Sequence, residues 1–128
     1  AYGQSKTANI LFAVELERRL GGGGVHAWAV HPGMVRTDLG RNFTKDDYAE
    51  LSSRAKASGG SLPALVTVDV GASTQVWAAV AEEPLEQPGT YLADRGFARA
   101  ARYATDPEAA QRLWELSEGL VGESFPTN

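Results

Sequence analysis

The sequence predicts an α/β fold, with helices covering an open, parallel sheet, and three observations predict it. Segments alternate in the order helix, strand, helix, helix, strand, helix. The strand-like runs are short and apolar and stop at Pro or Gly, as strands covered on both faces do. The first helix is apolar nearly all round, which asks for burial on more than one side. Two strands cannot cover four helices, so the chain, 1–128, reads as a single partial domain with most of its sheet unaccounted for. A domain in that state is expected to expose apolar surface, and so to oligomerise, aggregate or be only partly ordered.

The elements follow from local chemistry. Leu, Ala, Glu and Arg dominate the stretch from about 3 to 20, Glu15 and Arg19 stand at i,i+4, and the GGGG run at 21–24 ends the helix. Residues 25–30 (VHAWAV) form an apolar run between Gly and Pro, which suits a central strand. Composition then turns polar over 41–63. Within it Thr44 caps a helix to about Ala57, with Asp46 and Asp47 in its first turn and Tyr48, Leu51 and Ala55 on one face. After the flexible SGGSLP connection, Thr67 caps a helix to about Ala81 that carries Ala72, Val76, Trp77 and Val80. Pro88-Gly89 is a turn, and TYLA at 90–93 a short strand. Asp106, Pro107 and Glu108 supply cap, N1 proline and first-turn acid for a last helix to about Glu118, with Leu113, Trp114 and Leu116 apolar.

Composition excludes several functions. Twelve Lys and Arg against sixteen Asp and Glu give a net charge of -4, and no basic block stands out, so no nucleic-acid partner is expected. The absence of Cys removes disulfide, thiolate and Cys-zinc chemistry. No apolar run reaches membrane-spanning length, so no membrane segment is expected and a cytoplasmic location is the default. His26 and His31 have no third ligand candidate nearby, so no metal site is expected. Trp28, Trp77 and Trp114 read as core or interface residues.

Two motifs carry chemistry. Tyr2 and Lys6 are four apart and share a helix face, with Asn9 and Ala13 continuing the row. A phenol alone is a poor acid or base at neutral pH, but an ammonium nearby favours its ionised form. Such a pair can move a proton at a carbonyl or alcohol oxygen. The second motif, Pro32-Gly33-Met34-Val35-Arg36-Thr37, begins where the first strand ends, and ligands of open α/β sheets bind just beyond strand carboxyl ends. Pro and Gly turn the chain with little side-chain bulk, and Thr37 adds a hydroxyl that both donates and accepts. A plain turn and a helix cap would leave the same residues.

In this order, Y-G-Q-S-K, a glycine break, a buried strand and H-P-G-M-V-R-T resemble the short-chain dehydrogenase/reductase family. YGQSKTANILFAVELERRL and RLWELSEGLVG are most similar to its retinol-dehydrogenase-like branch, which also resembles the WW-domain-containing oxidoreductases. GTYLAD and Gly71-Ala72 fit the same branch. The resemblance implies the C-terminal part of a Rossmann-type doubly wound parallel sheet whose N-terminal βαβ half is absent. It implies NAD or NADP as cofactor and an alcohol or carbonyl substrate. Tyr2 would be the catalytic acid/base and Lys6 its partner, which also binds the nicotinamide ribose. Pro32, Gly33 and Val35 would lie along the nicotinamide, with the Val35 backbone and the Thr37 hydroxyl near its carboxamide. The 41–63 segment would be a variable substrate lid, with Tyr48 and Leu51 contacting substrate. Family members also dimerise through the Tyr-bearing helix, so a homo-oligomer through the 3–20 helix is expected.

The chain also departs from the family. It holds no G-x-x-x-G-x-G turn, and the glycines at 21–24 follow a helix and precede a strand, the reverse of a dinucleotide-binding order. Ser5 lies between Tyr2 and Lys6, so it does not replace the catalytic Ser that the family places upstream. Two functions remain: half of a nicotinamide-dependent oxidoreductase, or a truncated, non-catalytic remnant that persists as a helix-mediated association module.

Overall fold

In the computed structural model, which describes residues 2–125, four helices surround two small sheets. The helices are α1 (Tyr2–Leu20), α2 (Lys45–Ala57), α3 (Val68–Val80) and α4 (Pro107–Val121). The strands are β1 (Ala29–His31), β2 (Met34–Val35), β3 (Leu65–Val66), β4 (Tyr91–Ala93) and β5 (Gly96–Ala98). One sheet runs β1-β4-β5, parallel between β1 and β4 and antiparallel between β4 and β5; the other is the parallel pair β2-β3.

The caps form where short-range chemistry places them. Thr44 and Asp47 make a capping box: Asp47 N–H donates to Thr44 Oγ1 at 3.2 Å, and Thr44 N–H donates to Asp47 Oδ2 at 2.7 Å. Thr67 Oγ1 accepts from Val70 N–H, and Asp106 Oδ1 from Ala109 N–H at 2.7 Å. After α1, the glycines make one 3-10 turn, which Gly24 closes in the left-handed region.

The sheet departs from expectation in three ways. β1 spans Ala29–His31 rather than 25–30, because a strand extends only as far as its partner and β4 offers three residues. Among the described residues β1 is an edge strand, not a central one. β5 is antiparallel, so the sheet is mixed. Its hairpin turn places Asp94 and Arg95 at positive φ, as a two-residue turn matching strand twist requires. Arg95 N–H donates to the buried Thr74 Oγ1 at 3.2 Å, tying this turn to α3.

The buried helix faces are not simply the most apolar ones. α3 buries Gly71 and Thr74, while Val76 and Val80 point into solvent. Gly71 is what allows the contact with β2, since a Cβ there would overlap the γ-methyls of Val35. On α4, Ala110 is buried and Leu116 exposed. α1 packs along α4, where Phe12 stacks on Trp114 at 5.6 Å, yet Phe12 stays half exposed. The buried apolar residues include Ala13, Leu92, Ala104 and Ala110, while large apolar side chains stay exposed on α1, α3 and α4. Five short strands stand where the sequence led to two, because β2, β3 and β5 span only two or three residues each. Trp28 Nε1–H donates to the Pro84 carbonyl, and Trp77 meets Phe97 edge-on at 6.2 Å; both tryptophans are packing residues.

Glu15, which the i,i+4 spacing pairs with Arg19, is fully buried. Its carboxylate accepts from Arg18 Nε at 2.8 Å and from Arg19 Nε at 2.6 Å. Hydrogen bonding from Arg18 is the largest cause that holds its pKa below the ordinary value; burial opposes this and Arg19 reinforces it.

Two predictions follow from this packing. Gly71→Ala should cost about 1–3 kcal/mol in a denaturant melt, because α3 or Val35 has to move, and Val35→Ala on the same chain should recover part of the loss. Because the folded pKa of Glu15 is depressed, its contribution is complete above the unfolded value of about 4.3 and disappears as pH falls through the lower folded one. Glu15→Gln should therefore lower stability by about 2 kcal/mol at pH 7 and flatten the acid limb of a stability-against-pH curve. An unchanged acid limb would refute this role for Glu15.

Candidate active site

α1 begins at Tyr2, and its 3.6-residue period stacks Tyr2, Lys6 and Asn9 along one side. Lys6 Nζ lies over the Tyr2 ring, 5.3 Å from its centroid, and Tyr2 is 66% exposed. The Ser5 hydroxyl turns back to the Tyr2 carbonyl at 2.7 Å and Thr7 Oγ1 to the Gly3 carbonyl at 3.2 Å. Hydroxyls bonded within their own helix leave this end of α1 to the phenol and the ammonium.

β1 returns alongside α1 and stops at His31-Pro32. Gly33 then takes φ +82, a value that a side chain would strain, and the chain turns into β2. Between α1 and this bend lies an open groove of about 860 Å³. Tyr2, Lys6 and Asn9 border it from α1, and His31, Pro32 and Gly33 from the strand end. Gln75 of α3 and Tyr91 of β4 border it too. The His31 and Tyr91 rings stack with centroids 6.3 Å apart and planes 15° apart, and burial raises the Tyr91 phenol above its ordinary pKa.

So the groove brings together Tyr2, Lys6, Pro32 and Gly33, residues that come from two separate sequence motifs. Val35 and Thr37 lie past the bend. The Val35 side chain packs on Gly71, and Thr37 Oγ1 accepts from Leu39 N–H at 3.4 Å, capping a 3-10 turn. Tyr48 and Leu51 sit on α2; Tyr48 meets Phe43 edge-on at 5.6 Å, and neither residue borders the groove. Gln75 and Tyr91 went unnoticed in the sequence, since no local pattern connects them to Tyr2. Tyr91 reaches the groove only through the pairing of β4 with β1, where it stands opposite Ala29.

Among the described residues, no cluster of three or more His, Asp or Glu side chains could hold a metal ion, and no helix is long and apolar enough to cross a membrane.

No family model matches the chain. Individual proteins do. Human retinol dehydrogenase 13 is 41% identical over 128 residues, which covers 99% of this chain and 38% of that protein. An oxidoreductase of Penicillium decumbens is 37% identical over 95% of this chain and 39% of its own length. A short-chain dehydrogenase/reductase of Armillaria gallica is 36% identical over 91% and 35%. The chain therefore spans under two fifths of the length of these curated relatives.

Proposed function

We propose that this chain, a homologue of the retinol-dehydrogenase-like short-chain dehydrogenase/reductases, forms the proton-transfer side of an NAD- or NADP-dependent oxidoreductase acting on an alcohol or carbonyl. The observation that carries the reading is the convergence of Tyr2, Lys6, Pro32 and Gly33 on one groove. Its volume lies in the range of small-molecule sites. Gly33 has no side chain and a φ that other residues avoid, so a flat ring can approach the backbone there. These features fit a nicotinamide.

When bound, that cofactor supplies hydride acceptance and return. Lys6, Pro32 and Gly33 would hold it, with Val35 and Thr37 continuing past the bend. Tyr2 Oη takes the proton of an alcohol as it becomes a carbonyl, and gives a proton back in the reverse direction. Lys6 places a positive charge over the Tyr2 ring, 5.3 Å from its centroid, beside the oxygen that exchanges the proton. The names of the relatives make retinol and other lipophilic alcohols the first substrates to test. In this reading the 41–63 segment covers the substrate, bringing Tyr48 and Leu51 toward it.

A second reading, a non-catalytic association module, is favoured by a different observation: Phe12 on α1 and Leu116, Leu120 and Val121 on α4 are all exposed. Association of copies through the 3–20 helix is compatible with either reading.

The test uses the whole polypeptide that carries this chain. Tyr2→Phe should retain NADH or NADPH binding while kcat/KM falls by at least about 100-fold, and Lys6→Met should weaken both. If the whole polypeptide binds neither nucleotide, the oxidoreductase reading is lost. Sedimentation should show the 128-residue chain to be larger than a monomer, with Phe12→Ser shifting it toward monomer. A monodisperse monomer would end the association proposal.

A further inference from the structure

We infer that Glu17 is a positioning residue, whose carboxylate sets the register of β1 against α1 and so holds the Pro32-Gly33 bend level with Lys6. For its catalytic consequence this rests on the oxidoreductase reading; the structural claim stands apart from it.

Glu17 lies near the far end of α1 from Tyr2. Its Oε2 accepts the backbone N–H of Ala27 at 2.9 Å, and its Oε1 meets His26 Nδ1 at 3.0 Å. Both partners lie just ahead of β1, in the part of the 25–30 run that the strand does not include. Ala27 is held from its other side as well, its carbonyl accepting from Gly89 N–H at 2.9 Å, two residues before β4. Glycine leaves room for the Glu17 side chain on two sides: a Cβ at Gly21 would overlap its carboxylate, and one at Gly89 would come within 3.0 Å of its Cγ. The carboxylate is thus seated among the end of α1, the start of β1 and the turn before β4.

Geometry gives the seat its consequence. From Glu17 back to Lys6 the helix climbs about 16 Å, and from Ala27 to Pro32 an extended chain covers about 16 Å. Fixing Ala27 at Glu17 therefore sets Pro32 beside Lys6, the juxtaposition that makes the groove. Among the described residues β1 has a sheet neighbour on one side only, so β4 pairing alone leaves its position toward α1 to packing. A carboxylate that accepts a backbone N–H adds a directional restraint where packing is non-directional.

The experiment compares Glu17→Gln, whose amide oxygen can still accept Ala27 N–H, with Glu17→Met, which keeps bulk and loses the acceptor. In Glu17→Met, amide exchange at Ala27 should quicken at least tenfold and the Gly33 amide resonance should shift, while exchange at Leu92 and Ala110 stays unchanged. Glu17→Gln should restore both readouts. In the whole polypeptide, Glu17→Met should raise the NADH dissociation constant at least tenfold. Unchanged Ala27 exchange in Glu17→Met, or failure of Glu17→Gln to restore it, overturns the inference. Should Glu17→Met not fold, a scalar coupling across the bond from Ala27 N–H to Glu17 in the unsubstituted chain decides: its presence supports the tether and its absence overturns it. If the unsubstituted polypeptide binds no nucleotide, the oxidoreductase reading fails, and the Ala27 measurements still judge Glu17.

Discussion

The pairing of Ala29–His31 with Tyr91–Ala93 is the constraint on which the rest of this structure depends. It is a parallel ladder of three residues, and it joins segments about sixty positions apart. Leu92, at its centre, is fully buried. The ladder brings Tyr91 under His31, and both rings border the groove that Tyr2 and Lys6 line. It also leads into the β4-β5 hairpin, whose Arg95 N–H reaches Thr74 on α3. So few backbone bonds do not hold a strand firmly on their own. The side chains that flank the ladder, Glu17 at its start and Leu92 within it, therefore matter beyond their number.

Much of the secondary structure was legible because its causes are local. Thr44, Thr67 and Asp106 cap the helices they precede, and each needs only residues within three positions to do so. Which face a helix buries is not local. Val76 and Val80 are apolar yet exposed, because the sheet meets the side of α3 bearing Gly71 and Thr74, where small residues permit close approach. β2, β3 and β5 are too short for a period of two to register. The turn at Asp94-Arg95 lacks the Asn-Gly or Asp-Gly pair that announces a hairpin.

The site divides along the same line. Tyr2 with Lys6, and Pro32 with Gly33, are short motifs whose spacing carries meaning, and they meet in one groove. Gln75 and Tyr91 come from elements whose approach depends on tertiary packing, so nothing in their neighbourhoods marked them. In the same loop the Val35 side chain fills the gap over Gly71 and Thr37 Oγ1 caps a turn, contacts that a loop motif read from sequence does not specify.

The end of α1 shows how a helix that is apolar nearly all round is nonetheless oriented. In AVELERRL, Glu15 and Glu17 are two positions apart, which separates them by about 200° around the helix axis. They consequently serve opposite sides. Glu15 binds Arg18 and Arg19, and the Arg19 guanidinium lies 4.6 Å over the ring of Trp114, so this side engages α4. Glu17 turns to Ala27 and His26 and engages the start of β1. Apolar contacts alone would let such a helix rotate among similar packings, since one greasy side resembles another. The Arg19–Trp114 stack and the Glu17–Ala27 hydrogen bond tie opposite sides of α1 to different neighbours, and so limit that rotation. The rigid helix carries the same orientation to its first turn, where Tyr2 and Lys6 face the groove.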